Sequence, residues 1–335
     1  MRHHVRKWVK LAAAVTATFS LIGGAGQAVA QAKDSAANYP ERPITIVVGY
    51  PPGGATDVIA RVVADHLGRA FGQPVVVKNE PGAGSNIATD FVVRSAPDGY
   101  TLLVETIANA TNMSIYKNLR YNTEKDLVPI VQFMASPSVL VVNPSVPAKS
   151  LKELIALAKA NPGKYTFASS GVGGSPHLAG EMLKMRAGID LLHIPYKGAT
   201  PALQDVLAGN VDMGFKTSLG AMPHMESGRL RPIAVAAPNR LADLPDVPTM
   251  EEAGLADFHV LSWNGLAAPA GTPRSIIDKL NAEVNRILQL PEVKKQLVGL
   301  GAEPSGGTPE DFAKFVSAEI KKWGEVVRSS GLQLD

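Results

Sequence analysis

The sequence has 335 residues, of which 33 are basic and 30 are acidic, and it contains no cysteine. The absence of cysteine excludes a disulfide scaffold and thiol chemistry. A chain of this length buries an ordinary hydrophobic core, which we expect to be divided between two domains.

The N-terminus has the pattern of a secretory signal peptide. Residues 1–10 carry four basic and no acidic side chains, residues 11–26 are apolar and small, and Ala28 to Ala30 fits the cleavage site. A retained membrane anchor is the alternative, although the apolar run is short for a span. We predict a signal peptide over residues 1–30. The remaining chain then carries 29 basic and 30 acidic residues, which gives no reason to expect nucleic acid as a partner.

The first half of the remaining chain alternates between strand and helix patterns. A strand at Ile44–Val48 precedes a glycine-rich turn and a helix with one apolar stripe, and further strands follow at Pro74–Lys78 and Thr101–Glu105. This alternation predicts a parallel sheet covered on both faces. Two more strands are expected at Val128–Met134 and Val139–Val142, separated by Ser136-Pro137-Ser138.

The pattern then begins again. Ser150 is a predicted N-cap for the helix Leu151–Ala160, with Glu153 three residues later. Strands predicted at Lys164–Ala168, Leu191–Pro195, Val211–Phe215 and Pro232–Ala236 alternate with helices. We therefore predict a second α/β domain of similar size.

Two long helices are expected to close the chain, with no strand after Ala268. Thr272-Pro273 and Thr308-Pro309 each place an N-cap residue before a proline at the first helical position. These helices need a sheet to cover, and the sheet of the first domain is the simplest candidate.

The chain would then cross between the domains twice, near Val142 and Trp263. A double crossing predicts a two-segment hinge. The expected fold class is therefore α/β, with two doubly wound lobes. Lobe 1 comprises residues 40–141 plus 262–335, and lobe 2 comprises residues 142–261.

Catalytic templates are missing from the sequence. It has neither a G-x-S-x-G nucleophile elbow nor a Walker pattern, and its histidines lack metal-ligand spacing, so neither a metal nor another cofactor is expected. Ser170 with His177 is the only nearby pair that suggests a secreted hydrolase, but no third group is evident to orient the histidine. We favour a capping or packing role for His177.

Four predicted loops are rich in glycine and small hydroxyl residues, and each follows a predicted strand. In open α/β sheets, ligands bind beyond the carboxyl ends of the strands. Glycine also lets the backbone approach a ligand closely, although ordinary turns use the same residues. The candidate binding residues in these loops are Gly53, Gly54, Ala55, Thr56, Gly84, Ser85, Asn86, Ser169, Ser170, Gly198, Ala199 and Thr200.

Two further side chains are candidates near these loops. Lys216 follows the strand Val211–Phe215 and is a possible counter-charge for a carboxylate, with a solvated lysine as the equal alternative. Tyr50 would lie against the ligand body, or else pack locally. Asp57 is expected to favour the start of its helix through the helix dipole rather than to contact the ligand.

Several of these segments together resemble a known family. Tyr50 to Asp57, Asn79 to Gly84, Ser169 to Gly173, His193 to Gly198 and Ala268 to Pro273 are similar to the signatures of the Bug receptors. These proteins are the extracytoplasmic solute receptors of tripartite tricarboxylate transporters. The resemblance implies a periplasmic two-lobed binding protein of the type II architecture, with membrane transporter subunits as partners. A monomer is expected.

The resemblance also implies how a ligand is held. One ligand carboxylate would meet Gly53 to Thr56 and Gly84 to Asn86, partly through water, while Ser169, Ser170 and Gly198 to Thr200 would line the opposite wall. Relatives often have a double glycine where this chain has Ser85-Asn86. Relatives that take amino acids or small dicarboxylates often have Asp or Asn near the position of Lys216 and Thr217. Lysine there favours a dicarboxylate or aromatic carboxylate over an amino acid. A sensory co-receptor that presents ligand to a membrane kinase is the alternative function.

Overall fold

The computed structural model describes residues 36–299 and 302–333. The predicted signal peptide, residues 1–30, lies outside this range. The strands are β1 (Ile44–Val48), β2 (Val75–Asn79), β3 (Thr101–Thr106), β4 (Leu127–Val142), β5 (Thr166–Ser169), β6 (Leu192–Pro195), β7 (Met213–Thr217), β8 (Arg231–Val235), β9 (Leu261–Pro269) and β10 (Glu303–Gly306).

The helices lie between and after these strands. They are α1 (Ala55–Phe71), α2 (Asn86–Val93), α3 (Ile107–Ile115), α4 (Thr123–Asp126), α5 (Leu151–Ala160), α6 (Ser175–Ala187), α7 (Ala199–Ala208), α8 (Ser218–Glu226), α9 (Arg274–Leu288), α10 (Pro291–Gly299) and α11 (Pro309–Ser330). None of the helices in the described range combines the length and apolarity that a membrane span requires.

The strands form one continuous mixed sheet. Its order is β2-β1-β3-β9-β4-β7-β5-β6, and β8 and β10 also pair with β4. Parallel pairs form both ends of this order, with β1 between β2 and β3 at one end and β5 between β6 and β7 at the other. Antiparallel strands β9 and β4 join the two ends. The alternation of strands and helices thus yields two α/β lobes, as predicted.

Strand β4 belongs to both lobes. Residues Leu127 to Pro137 pair with β9, and Ser138 to Val142 pair with β7. The prediction of two strands separated by Ser136-Pro137-Ser138 is therefore wrong. The strand continues because the chain only changes partners there: the Ser138 N–H donates to the Val260 carbonyl at 3.1 Å, and the Ala236 N–H donates to the Ser138 carbonyl at 2.8 Å.

The C-terminal region departs from the prediction in two places. Strand β10 pairs antiparallel with β4, although no strand was expected after Ala268. Helix α9 begins at Arg274 with Pro273 as its N-cap, because the Thr272 hydroxyl donates to the Pro269 carbonyl at 2.8 Å and does not cap the helix. By contrast, Thr308 forms the predicted cap of α11, as a capping box with Asp311.

Helix α11 covers the junction of the two lobes. It packs against β4 and α3, and it also contacts α6 of lobe 2. Its Phe312 ring meets Trp263 edge-on at 5.7 Å between centroids, and its buried Glu319 accepts the indole N–H groups of Trp263 and Trp323. Helix α11 therefore does more than cover the sheet of lobe 1. The hydrophobic core that it joins runs through both lobes.

Candidate functional site

The first glycine loop lies between β1 and α1. Gly53 adopts a left-handed φ of 83°, and its N–H donates to Asp57 Oδ2 at 2.9 Å. The same carboxylate accepts Arg61 Nε at 3.0 Å and Asn79 Nδ2 at 2.8 Å. This network fixes the loop at the start of α1. The first backbone N–H groups of a helix have no partners within the helix, and those of α1 lie next to this loop.

Asp57 is buried, with 2% of its surface exposed. Burial alone raises the pKa of its carboxyl group, but the hydrogen bonds from Arg61, Gly53 and Asn79 outweigh burial and hold that pKa below its ordinary value. The carboxylate therefore stays charged while it holds the loop through Gly53, Arg61 and Asn79. This placement agrees with the role expected for Asp57 from the sequence.

A second layer of polar groups lies beside this loop. The Tyr50 hydroxyl is 3.2 Å from Thr106 Oγ1, at the end of β3, and Asn264 Nδ2 donates to Thr56 Oγ1 at 3.4 Å. Burial raises the pKa of Tyr50, so its hydroxyl is a neutral hydrogen-bonding group. Tyr50, Thr106, Thr56 and Asn264 all line one cavity.

The second loop, before α2, contributes less than predicted to the cavity wall. Gly84 lines the cavity, and its carbonyl accepts Asn112 Nδ2 at 2.8 Å. Ser85 is buried, and its hydroxyl occupies the space that a side chain on Gly49 would need. Asn86 Oδ1 accepts Asn112 Nδ2 at 2.7 Å and the Tyr121 hydroxyl at 2.6 Å. Asn86 therefore ties the loop to Asn112 and Tyr121, while Ser85 packs against Gly49.

The third loop lies between β5 and α6. The Gly173 N–H donates to His177 Nδ1 at 3.0 Å, and Ser169 Oγ is 2.7 Å from His193 Nε2. The His177 and His193 rings stack with their centroids 3.9 Å apart. Burial, followed by the charge of nearby Lys184, lowers the pKa of His193 to about 4. Burial, His193 and Lys184 lower the pKa of His177 to about 3.

His177 therefore packs and accepts a backbone hydrogen bond as a neutral ring. Its Nε2 lies 3.8 Å from the Glu181 carboxylate, so both ring nitrogens face groups other than Ser170. Ser170 instead lines the two cavities described below, without a contact to His177. Its carbonyl accepts the Gly198 N–H at 3.2 Å. The geometry gives the Ser170–His177 pair no nucleophile–base contact.

Two adjoining cavities lie where these loops meet. The cleft cavity, about 280 Å³, is lined by both lobes: Tyr50, Thr56, Gly84, Thr106, Ile107, Ala108, Asn112, Ile115, Tyr116, Ser170, Gly171, Val172, Gly173, Gly174, Ser175, Ser262, Trp263 and Asn264. The side chamber, about 650 Å³, extends from it into lobe 2. Ser170, Ser175 and Ser262 line both cavities and mark where they join.

The structure brings eight of the fourteen predicted residues to these cavities. Tyr50, Thr56, Gly84 and Ser170 line the cleft cavity. Ala55, Ser170, Ala199, Thr200 and Lys216 line the side chamber. The remaining six, which line neither cavity, are Gly53, Gly54, Ser85, Asn86, Ser169 and Gly198.

Lys216 is the buried cation of the side chamber. Only 8% of its surface is exposed, and its amino group forms no hydrogen bond or ion pair with any residue in the described ranges. Its side chain folds over Gly214, where an added Cβ would lie 3.3 Å from Lys216 Cε. Burial lowers the pKa of the amino group to about 8. An unpaired buried charge is costly, so the site favours an anion beside it.

Glu105 is a second buried acid that adjoins the cavity wall in sequence. It precedes Thr106, has no exposed surface, and neither carboxyl oxygen has a hydrogen-bond partner within the described residues. Burial raises its pKa to about 8. At neutral pH the group is thus mainly a neutral acid.

Several lining residues were not predicted from the sequence. Thr106 ends β3, so the strand-end rule that selected the glycine loops would also have found it. Asn264 and Ser262 belong to β9, which runs antiparallel to β3 and presents its first residues at that edge. Nothing in the local sequence indicates this direction. Asn112 lies within α3, and its local sequence likewise does not indicate that it lines the cavity.

The geometry can be compared with known proteins. The sequence profile of the tripartite tricarboxylate transporter family receptors matches residues 59–332. The protein BugT of Bordetella pertussis is 41% identical over 90% of this chain and 93% of its own length. Both the profile and this relative span nearly all of the described chain.

Two similar solved structures contain a bound acid. The R. palustris protein Rpa4515 with adipate is 34% identical, covers 88% of this chain and 98% of its own, and superimposes with a TM-score of 0.77. MatC from Rhodopseudomonas palustris with bound malate is 33% identical, covers 86% of this chain and all of its own, and gives a TM-score of 0.75.

Proposed function

Because the chain belongs to the tripartite tricarboxylate transporter receptor family, a family of periplasmic solute-binding receptors, we propose that it captures a small carboxylated organic acid between its lobes. It then delivers the acid, unchanged, to the membrane subunits of such a transporter. The adipate and malate of the two solved relatives support a carboxylate as the ligand class. We further propose export through the signal peptide at residues 1–30 and action as a monomer.

The observation that carries this proposal is the charge and donor pattern of the two cavities. Neither cavity is lined by an aspartate or glutamate in the described ranges, whereas Lys216, His224 and Arg229 line the side chamber. Hydroxyl and amide groups of Thr56, Thr106 and other residues surround the cleft cavity. Such a lining offers hydrogen-bond donors to a carboxylate without a competing negative charge.

We propose that one carboxylate occupies the cleft cavity and that a second anionic group pairs with Lys216. The glycine loops at residues 53–56, 84–86, 169–170 and 198–200 would hold the ligand from both lobes. The residues that reach the cavities would contact it directly or through water, while the six that do not would shape these loops. A dicarboxylate or an aromatic acid with a second anionic substituent satisfies both positions.

Isothermal titration calorimetry with Lys216→Met tests the second anionic position. Methionine keeps most of the aliphatic volume and removes the charge, so dicarboxylate affinity should fall about 10- to 100-fold. The matched control is Lys159→Ala, an exposed lysine of α5 that lines neither cavity. Equal affinities for the wild type and Lys216→Met would remove Lys216 from the ligand site.

The pH dependence of binding sharpens the same test. Since the free amino group has a pKa of about 8, its positive charge is lost as the pH rises through that value. Wild-type affinity for a dicarboxylate should therefore decline between pH 7 and pH 9, and that of Lys216→Met should decline less. Parallel declines in the two proteins would contradict the pairing.

We also propose that residues 40–141 with 262–335 and residues 142–261 close on the ligand as two bodies. The change of strand partners at Pro137 and Ser138 in β4 supports a boundary in this region. Small-angle X-ray scattering should show a smaller radius of gyration at saturating ligand than without it. Identical scattering profiles would contradict closure.

A further inference from the structure

The side chamber is built almost entirely by lobe 2. Apart from Ala55 and Ser262, its lining residues come from the third glycine loop, the start of α6, helices α7 and α8, strand β7, and Arg229. It leaves the cleft at Ser170, Ser175 and Ser262 and passes beside α7 and α8. The two cavities therefore adjoin, so a ligand group held in the cleft cavity lies next to the chamber in lobe 2.

The walls of this chamber are largely apolar. Leu203 and Leu207 are four residues apart, so they lie on one face of α7. Both are partly exposed, whereas Ala202 and Val206 of the same helix are fully buried in the lobe 2 core. Leu203 and Leu207 also pack against this core, so the apolar stripe of α7 extends from the core to the wall of the chamber, where Phe215 and Pro176 also contribute.

The size of the chamber constrains what fills it. At about 650 Å³ it is more than twice as large as the cleft cavity of about 280 Å³. An apolar cavity of roughly 150 Å³ already accommodates a benzene ring. A four-carbon acid held in the cleft cavity would therefore leave most of the chamber unfilled.

The charged groups of the chamber agree with a long or bulky acid. Lys216 is buried at its wall, and the side chains of His224 and Arg229 line it without an ion pair in the described ranges. The apolar surface of α7 shares the chamber with these cations. A ligand that has both an apolar body and a terminal anionic group complements this arrangement.

We propose that the side chamber is a subsite for an apolar ligand body of at least about six carbon atoms, aromatic or aliphatic. The inference rests on the proposed function, because the ligand's first carboxylate is held in the cleft cavity. It identifies the substrate class as medium-chain or aromatic acids rather than four-carbon acids. Leu203 and Leu207 of α7 then determine the length preference.

Calorimetry with a homologous series tests this subsite. The ligands are butanedioate, hexanedioate, octanedioate and a phenyl-substituted butanedioate. Burial of each additional methylene should raise affinity about fourfold until the chamber is filled. Octanedioate and the phenyl-substituted acid should therefore bind much more tightly than butanedioate.

Variants that fill the chamber show where the added carbons lie. Leu203→Trp and Leu207→Trp should each reduce the ratio of octanedioate to butanedioate affinity by at least tenfold. Leu192→Trp is the matched control, because Leu192 is 54% exposed on the edge strand β6 and lines neither cavity. Its affinity ratio should equal that of the wild type. Circular dichroism and thermal unfolding identify variants that have lost the fold.

The outcomes separate this inference from the proposed function. Tight butanedioate binding with no gain from longer or phenyl-substituted acids would overturn the subsite and leave carboxylate capture intact. A length preference unchanged in both tryptophan variants would also overturn the subsite. Failure of every carboxylate to bind the folded protein would overturn the proposed function as well.

Discussion

The two glycine loops that begin α1 and α6 have the same backbone form but different chemistry. Gly53 and Gly173 have left-handed φ values of 83° and 79°, and Gly54 and Gly174 share φ −75° and ψ 163°. In each loop the residue four positions after the first glycine accepts that glycine's N–H. The acceptor is Asp57 in lobe 1 and His177 in lobe 2.

The difference between the acceptors shows that loop shape and loop chemistry are separable. A glycine pair and an acceptor in the first helical turn are sufficient for the shape. Asp57 works as an anion within a network that includes Arg61 and Asn79, whereas His177 works as a neutral ring stacked on His193. Loss of the acceptor should therefore affect the lobes to different extents, and the destabilisation by acid should arise mainly in lobe 2.

The largest expected effect is that of Asp57→Ala. The substitution removes a buried acceptor of three donors and leaves Gly53 and Asn79 without this partner, so it should lower the free energy of unfolding by about 2–4 kcal/mol. Urea unfolding measures the loss. Asp65→Ala is the control on the same helix, because Asp65 forms only an exposed ion pair with Arg69 and should contribute less than about 1 kcal/mol. Equal losses in the two variants would contradict the role of Asp57.

An intermediate effect is expected from acid. The pKa values of His177 and His193 lie near 3 and 4 in the folded protein and near 6.5 when unfolded. The unfolded state binds more protons between these values, so their stabilising contribution is complete above pH 6.5 and is lost as the pH falls towards 4. At pH 4.5 this loss is about 2–3 kcal/mol for each histidine. The Glu105 carboxyl, whose pKa burial raises to about 8, titrates in the same window with the opposite sign, because its protonation favours the folded state. The net loss should therefore be about 1–3 kcal/mol.

His177→Asn assigns this loss to a residue. Asparagine offers an oxygen near the position of Nδ1 but does not titrate, so urea unfolding at pH 7 and pH 4.5 should show a smaller acid loss than in the wild type. The other charged groups near the ring are Glu181 and Lys184, which the variant retains. The Asp57 carboxyl has an ordinary pKa of 3.8 and a lower one when folded, so its contribution is kept in this pH window. An unchanged acid loss in the variant would refute the assignment.

The smallest expected effects come from Gly53→Ala and Gly173→Ala. Each places a Cβ on a left-handed backbone, which costs about 1–2 kcal/mol. At Gly53 the added atom meets nothing within 4 Å, whereas at Gly173 it lies 3.2 Å from Ile115 Cδ1 of lobe 1. Gly173→Ala should therefore cost more and should also weaken ligand binding across the cleft. Urea unfolding measures the loss of stability, and calorimetry measures the ligand affinity. If the two variants lost equal stability and bound ligand equally well, the contact with Ile115 would have no effect.

Much of the fold could be predicted from local sequence. The alternation of strands and helices, the caps at Ser150 and Thr308, and the position of the glycine loops after strands all follow from nearby residues. Local sequence did not reveal that β4 runs unbroken past Pro137, or that β10 pairs with it. Both depend on partner strands that are distant along the chain.

The candidate site divides in the same way. Thr56, Gly84, Ser170 and Lys216 could be selected from the sequence because they follow predicted strands. Which residues of each loop line the cavities could not be predicted from the sequence. Ser85 and Ser169 lie in the same glycine- and hydroxyl-rich loops as the lining residues. The Ser85 side chain nevertheless lies against Gly49, and the Ser169 hydroxyl is hydrogen-bonded to His193.

By itself, the sequence determined two lobes of α/β type, glycine loops at the strand ends and a lysine at the end of one strand, because each of these depends on residues close together in the chain. Only the tertiary structure decided that β9 supplies Ser262 and Asn264 to the cleft and that α7 directs two leucines into a chamber beside Lys216. The physical reason is that a cavity is bounded by side chains from several elements, and their distances from one another are set by sheet order and helix packing.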